Sequence, residues 1–172
     1  MQLTPLMERF ILHWGEMGAR WGVNRSVAQV HALLYLSKAP LPAETIAEAL
    51  TLARSNVSTS LKELQSWGLI SITHVLGDRR DHYTALKEPQ EIFNLVVEGR
   101  KRREIDPTLT LLRDLHLSLQ ADQHADLEHQ QRIKAMLDFV ELMSEWYEDV
   151  RKLPNPVLLQ LAKLGSKVLK LF

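Results

Sequence analysis

The sequence contains no cysteine, few aromatic residues and no net charge. Without cysteine it can form no disulfide, no thiolate nucleophile and no cysteine-ligated zinc or iron–sulfur site. Its 21 basic and 21 acidic residues cancel, so a nucleic-acid partner would have to be recognised through local charge. No uncharged apolar run is long enough to span a bilayer.

Signals for export and for catalysis are also missing. The first residues, MQLTPLMERFILHWGEMG, carry no basic segment followed by an apolar run, so we expect no signal peptide, no membrane partner and a cytoplasmic location. There is no glycine-rich phosphate loop, and the seven histidines are scattered singly. We therefore expect a protein that is not an enzyme and that uses no cofactor.

The apolar residues that are present recur mostly at helical spacing. We predict helices over residues 6–21, 26–37, 43–50, 54–67, 91–105, 109–120, 127–150 and 157–172. Gly68 is well placed to stop the fourth helix, and Asp106-Pro107 is expected to end the fifth. Within 127–150 a seam typical of coiled coils is formed by Ile133, Met136, Val140, Met143, Tyr147 and Val150.

The period changes at ISITHV, residues 70–75, where β-branched residues predict a strand. We predict LGDRRD, residues 76–81, to be a turn, and HYTAL, residues 82–86, to be a second short strand. The predicted fold class is therefore mainly α, with a small β-hairpin.

Helices 43–50 and 54–67 are separated by only a few residues, which is the order of a helix-turn-helix. In such a unit the second helix lies in the DNA major groove. Its run RSNVSTS is poor in helix formers, whereas an ordinary solvated helix favours Glu, Lys, Gln and Ala. We predict that DNA is read or positioned by its outward residues, Arg54, Ser55, Asn56, Ser58, Thr59 and Lys62.

The hairpin follows this helix where a wing would lie, and its predicted tip is GDRRD. Two arginines at a hairpin tip can reach phosphates or a narrow minor groove, and a neighbouring carboxylate can hold a guanidinium in place. We predict that Arg79 and Arg80 contact DNA and that Asp78 and Asp81 support them. The pattern leaves open which arginine enters the groove.

From Val27 to Leu86 the chain resembles the winged helix-turn-helix of the MarR family of transcriptional regulators. The residues that carry the resemblance are LPAETIAEALTLARSNVSTSLKELQSWGLI and, after a strand, GDRRDHYTA. Two further stretches, GEMGARWGVNRSVAQVHALLYL and RKRREIDPTLTLLRDL, resemble the GbsR-type branch of glycine betaine- and choline-responsive repressors.

The resemblance implies a homodimeric repressor that binds a pseudo-palindromic operator in double-stranded DNA. It implies an N-terminal helix for dimer or ligand contacts (residues 1–25), a winged helix-turn-helix (26–88) and a C-terminal helical dimerisation region (89–172). The apolar seam and tail independently favour a dimer, because they need a partner surface. Neutral net charge leaves an alternative open, a winged helix that binds proteins and not DNA.

The resemblance also suggests a small-molecule effector, a quaternary ammonium compound by analogy alone. Aromatic faces bind such cations, and the candidates are Trp14, Trp21, Trp146 and Tyr147. Core packing is the commoner role of an aromatic residue. Two other clusters are candidate sites, because the acidic and histidine residues of 122–129 could bind a metal and the basic run 100–103 could bind phosphate. Both patterns are more typical of solvated helix faces.

Overall fold

The structure is a computed structural model that describes residues 2–122, 126–154, 156–158, 160 and 164. It is mainly helical with one small sheet, so the predicted fold class is confirmed. Two compact units are present, one up to Val96 and one from Val97 onward. The predicted functional boundaries at 25/26 and 88/89 stay a prediction.

The first unit begins with two helices in close contact. Helix α1 spans Pro5–Arg20 and is capped by the Thr4 side chain, and α2 spans Arg25–Leu36 and is capped by Asn24. The two helices can approach closely because α1 presents glycines to α2. A Cβ added at Gly18 would lie only 2.6 Å from the Cβ of Ala28.

The helix-turn-helix follows. Strand β1 is Leu41–Pro42, α3 is Ala43–Leu50 and α4 is Arg54–Ser66, so both predicted helices are confirmed. Thr51 turns the chain between them with a positive φ of 54°. The core beneath them is formed by buried aliphatic residues from α2, α3 and α4, including Val30, Leu33, Leu34, Ile46, Val57, Leu61 and Leu64.

The predicted hairpin is present, but its turn is shorter than expected. Strand β2 is Ile70–Val75 and β3 is Asp78–Ala85, with only Leu76 and Gly77 between them. The prediction that LGDRRD forms the turn is therefore wrong, because Val75 already pairs with Asp78. The sheet also has a third strand that we did not expect, since Leu41 pairs with Tyr83 and gives the order β1-β3-β2.

A lysine after the sheet closes the end of α2. The Lys87 ammonium donates hydrogen bonds to the backbone carbonyls of Leu34, Tyr35 and Ser37, at 2.7, 2.8 and 2.9 Å. The last carbonyls of a helix have no partner within the helix. A side chain about fifty positions away in the chain therefore completes α2.

Helix α5, Pro89–Arg100, does not end at Asp106-Pro107 as predicted. The chain stays helical through a π-helical segment, Lys101–Ile105, into α6, Asp106–Ala121. Proline is tolerated there because it stands in the first turn of α6, directly after the π-helical segment, where the α-helical hydrogen-bond pattern is already interrupted.

Helix α7, Leu127–Arg151, confirms the last long helix, and it packs against α6 in the second unit. The buried residues at this contact are Leu109, Leu112 and Leu137. The predicted seam is divided, since Val140 packs toward α6 whereas Met136 and Met143 are exposed. Most of the predicted tail helix lies outside the described residues.

Candidate nucleic-acid interface and ligand cavity

Helix α4 buries one side and exposes the other. Val57, Leu61 and Leu64 are at most 2% exposed, which confirms the predicted inward stripe. All six residues predicted to face DNA are exposed, namely Arg54, Ser55, Asn56, Ser58, Thr59 and Lys62. The exposed positions of α4 thus carry two cations, and its single carboxylate, Glu63, is half-buried. The residue before the helix, Ala53, provides no side-chain cap for the first-turn N–H groups.

Ser60 is the residue of this helix whose role the sequence pattern missed. It belongs to the polar run RSNVSTS, yet it is 1% exposed, and its hydroxyl lies 3.2 Å from that of Ser26 on α2. Its position between Val57 and Leu61 on the inward stripe was the available signal. A polar cavity of about 310 Å³ lies beside this contact, lined from α2 and its cap by Asn24, Arg25 and Gln29 and from α4 by Asn56 and Thr59.

The wing carries an arginine that is held in place. The Arg80 guanidinium donates to the Asp78 carboxylate from Nε at 3.0 Å and from Nη2 at 2.5 Å. The Arg80 backbone N–H donates to the same carboxylate, and Glu44 of α3 lies 3.8 Å from Nη1. These bonds from Arg80 hold the pKa of Asp78 well below its usual range.

A buried histidine also lies against this carboxylate. His82 is 6% exposed, its Nδ1 lies 2.9 Å from the Arg80 carbonyl oxygen, and its Nε2 lies 3.4 Å from Asp78 Oδ2. Arg79 and Asp81 alternate with this set along β3 and are exposed. Within the described part of the chain the Arg79 side chain has no hydrogen-bond or ion-pair partner. The orientation of the Arg79 side chain is therefore less constrained than that of Arg80.

Two of the four aromatic residues predicted for an effector site line one cavity. Trp14 and Trp21 line an apolar space of about 300 Å³ together with Trp67, Phe93 and His31. Trp146 and Tyr147 lie on α7 in the second unit and do not belong to this lining. Sequence reasoning missed Trp67 and Phe93, because they reach the cavity from α4 and α5 and share no helix with Trp14.

His31 is a further residue that the pattern missed. Its side chain is buried, its Nε2 has no hydrogen-bond partner, and burial together with the charge of Lys87 lowers its pKa to about 4. It lies on the apolar stripe of α2, and nothing in the sequence distinguishes it from a core residue. It also lines a neighbouring cavity of about 210 Å³ beside Phe10, Trp14 and Tyr35.

The basic run 100–103 and the candidate metal segment 122–129 remain. The basic run is paired with acidic neighbours as expected, Arg100 with Glu104 at 3.7 Å and Arg102 with Glu98 at 3.1 Å. Among the described residues, no group of three acidic or histidine side chains could hold a metal ion. Residues 123–125 of the candidate metal segment lie outside that description.

Comparison with known proteins agrees with the winged helix. Residues 17–81 match the family model described as MarR family. The chain is 21% identical over 140 residues to the HTH-type transcriptional repressor GbsR of Bacillus subtilis, covering 80% of this chain and 77% of that protein. Within the described residues, no helix combines the length and apolar character needed to cross a bilayer.

One solved structure shares the fold. A crystal structure of a transcriptional regulator superposes with a TM-score of 0.60 at 23% identity, covering 84% of this chain and 95% of that one. The regulator Tm0710 of Thermotoga maritima gives a TM-score of 0.40 at 16% identity, over 84% and 92% of the two chains. Residues 17–81, which carry the helix-turn-helix and most of the three-stranded wing, are therefore similar to the MarR family of transcriptional regulators.

Proposed function

We propose that this protein is a dimeric, sequence-specific DNA-binding repressor of the cytoplasm, without catalytic activity. The observation that carries the proposal is the exposed face of α4, which presents Arg54, Asn56 and Lys62 among short hydroxyl side chains, whereas the single carboxylate of the helix, Glu63, is half-buried. Arginine and asparagine pair with guanine and adenine edges, and serine and threonine allow the close approach that the major groove requires.

The wing supplies the second contact in this proposal. Arg80, pre-oriented by Asp78, reaches the DNA backbone or minor groove, and the unpaired Arg79 adds a phosphate contact. An arginine whose orientation is already fixed loses less conformational entropy when it binds. Asp81 remains a proposed support for the wing.

Two recognition helices would contact a pseudo-palindromic operator if two chains associate. An exposed apolar row on α7 supports association, formed by Met136, Phe139, Met143 and Trp146 at helical spacing. Response to a small molecule is part of the proposal, and the cavity beside Trp14 and Trp21 is its candidate site. The suggestion of a quaternary ammonium ligand stays a prediction.

Selection of bound DNA from a random pool, at physiological salt, tests the proposal. We expect enrichment of a pseudo-palindrome, and we expect Asn56→Ala to cost about 1–3 kcal/mol at one base position in each half-site. Ser66→Ala is a matched control, because Ser66 is also exposed on α4 but lies at its far end. Absence of any enriched sequence would favour the alternative, a winged helix that binds proteins.

A further inference from the structure

A buried hydroxyl lies between α2 and the helix that is proposed to face DNA. Ser60 is 1% exposed, and its oxygen lies 3.2 Å from the hydroxyl oxygen of Ser26. Among the residues that the structure describes, no other side-chain hydrogen bond or ion pair joins α4 to another element. The rest of the buried side of α4 is the aliphatic stripe of Val57, Leu61 and Leu64. The polar contact between α4 and the core is therefore concentrated at Ser60.

The direction of this hydrogen bond follows from the cap of α2. The backbone N–H of Ser26 donates to Oδ1 of Asn24 at 2.9 Å, so that atom is the amide oxygen. The Ser26 hydroxyl donates to the same oxygen at 2.9 Å and has no second proton. Its oxygen can therefore only accept from Ser60. This chain of bonds from Ser60 through Ser26 to Asn24, which we call the serine bridge, ties α4 to the residue that caps α2.

The serine bridge restricts a motion of α4 that its aliphatic stripe does not. Burial of aliphatic side chains is non-directional, so it fixes which side of a helix is buried but tolerates a small rotation about the helix axis. A hydrogen bond tolerates less, because its strength falls steeply as its angle and distance leave the optimum. The bridge therefore defines the roll of α4, by which we mean the rotation of this helix about its own axis relative to α2.

Two residues predicted to face DNA lie on the edge of α4 that Ser60 holds. Asn56 stands about one helical turn before Ser60, and Thr59 directly precedes it. Both line the same polar cavity as Ser60 and Ser26. A roll of about 20° would move a side-chain atom that lies about 5 Å from the helix axis by about 2 Å. That displacement is more than a hydrogen bond to a base edge tolerates.

We propose that Ser60 is a positioning residue that sets the roll of α4 and thereby aligns Asn56 and Thr59 with base edges of the operator. Ser60 itself touches no base, because it is buried against Ser26. Loss of its hydroxyl releases the roll, so base contacts weaken, whereas contacts to phosphates carry no sequence information and persist. The consequence for base reading rests on the proposed function, whereas the roll of α4 does not.

Paired affinity measurements on the full chain test this role. The probes are the duplex enriched by selection from the random pool and the same duplex with both half-sites scrambled. We expect Ser60→Ala to lower the ratio of the two affinities about tenfold, which corresponds to about 1.4 kcal/mol of base contact, and to bind the scrambled duplex as the wild type does. Ser37→Ala is the matched control, because Ser37 is also buried and its hydroxyl donates to the Leu33 carbonyl near the other end of α2. It should leave the ratio unchanged.

A second substitution tests whether Ser60 acts through Ser26. Ser26→Ala removes the acceptor and leaves the Ser60 side chain in place, so it also tests the bridge if Ser60→Ala fails to fold. We expect Ser26→Ala to lower the affinity ratio as Ser60→Ala does, and the double variant to lose no more than either single variant. Equal ratios in the wild type and the single variants would remove Ser60 from base reading. Additive losses would show that the two serines act separately, and either result overturns the proposal.

A measurement without DNA tests the positioning itself. In protein labelled with nitrogen-15 and weakly aligned in solution, residual dipolar couplings of the α4 amides report the roll of α4 relative to α2. We expect those of Ser60→Ala to be smaller than in the wild type or to fit a different roll, and those of Ser37→Ala to match the wild type. Unchanged couplings in Ser60→Ala would overturn the proposal. Absence of any preferred duplex for the wild type would instead overturn the proposed function, and the couplings would still decide the role of Ser60.

Discussion

Arg80 is held in one orientation by its neighbours in the wing. Its guanidinium donates to Asp78, which also accepts a hydrogen bond from the Arg80 backbone N–H and lies 3.4 Å from Nε2 of His82. Exposed ion pairs contribute little to folding stability. The role of this pair is therefore better sought in the geometry of the wing than in the stability of the fold.

A substitution of Asp78 distinguishes geometry from charge. Removing a negative charge near DNA should strengthen binding if only the net charge of the wing matters. We expect the opposite for Asp78→Asn, a several-fold weaker operator affinity, because Arg80 loses its fixed orientation. Asp81→Asn removes the same charge from an exposed neighbour on β3 and should leave affinity equal or slightly stronger. Stronger binding by both variants in a fluorescence anisotropy titration would refute the orienting role.

His31 makes the stability of the fold depend on pH. Its pKa is about 4 in the folded protein against 6.5 ordinarily, so between these values the unfolded chain binds a proton that the folded protein does not. Lowering the pH through this window therefore destabilises the fold, by roughly 3 kcal/mol in total. His31→Leu removes this term. Urea unfolding of both proteins at pH 7 and pH 4.5 should show a smaller loss for the variant, and parallel losses would contradict the prediction.

For single residues, periodicity could predict which side chains are exposed but not which side chains they contact. The outward position of Asn56 and the inward position of Leu61 follow from local helical spacing. The pairing of Arg80 with Asp78 depends on strand β3 beginning at Asp78. The sequence LGDRRD resembles a turn, so this start was not predicted. The environment of His31 depends on residues brought together from separate helices, and no local pattern encodes that.

At the scale of elements, the close approach of α1 and α2 requires glycine. The Cβ added by Gly18→Ala would meet the Cβ of Ala28 at 2.6 Å, and an atom fixed to the backbone cannot move aside alone. We expect Gly18→Ala to destabilise the protein by about 1–3 kcal/mol in urea unfolding.

Gly99→Ala is the matched control. A Cβ there meets only the flexible end of Arg103, at 3.6 Å, and the position is helical. Alanine favours helix over glycine, so we expect a stabilisation of about 0.5–1 kcal/mol. Equal effects of the two substitutions would mean that helix packing does not require Gly18.

The helices were predictable because the signals that start and stop them are local. Asn24 and Thr4 cap their helices from the adjacent position, and Gly68 follows α4 with a positive φ of 72°. Strand β1 was not predictable, because two residues become a strand only through pairing with β3. The prediction that the helix ends at Asp106-Pro107 was wrong because a proline that can stop one helix is equally suited to the first turn of the next.

At the scale of the whole molecule, the zero net charge conceals a local asymmetry. The exposed positions of α4 carry two cations, and the one carboxylate of this helix, Glu63, is half-buried, whereas the basic run after α5 is paired with Glu98 and Glu104. The neutral composition therefore gave no support for DNA binding, whereas the arrangement of the charges on α4 supports it. Residues 17–81 match the MarR family model, which is consistent with this interpretation.

The proposed dimer makes a prediction on α7. Phe139 is 60% exposed and stands in an apolar row with Met136, Met143 and Trp146. Phe139→Glu should give a monomer in sedimentation equilibrium and should lose high-affinity operator binding, because a carboxylate cannot be buried in an apolar interface without large cost. Gln131→Glu introduces the same group at an exposed position of α7 outside this row and should remain dimeric. A dimeric Phe139→Glu protein would place the interface elsewhere.

Through Lys87, the last turn of α2 is held by a residue that is distant in the chain. Helix ends ordinarily fray by themselves, within one turn and without cost to the rest of the fold. Here the final carbonyls of α2 are satisfied from a residue just beyond β3, so local opening of this turn requires release of the segment that follows the sheet. The amide protons of the last turn of α2 should therefore exchange with solvent on the same timescale as those at the base of the wing.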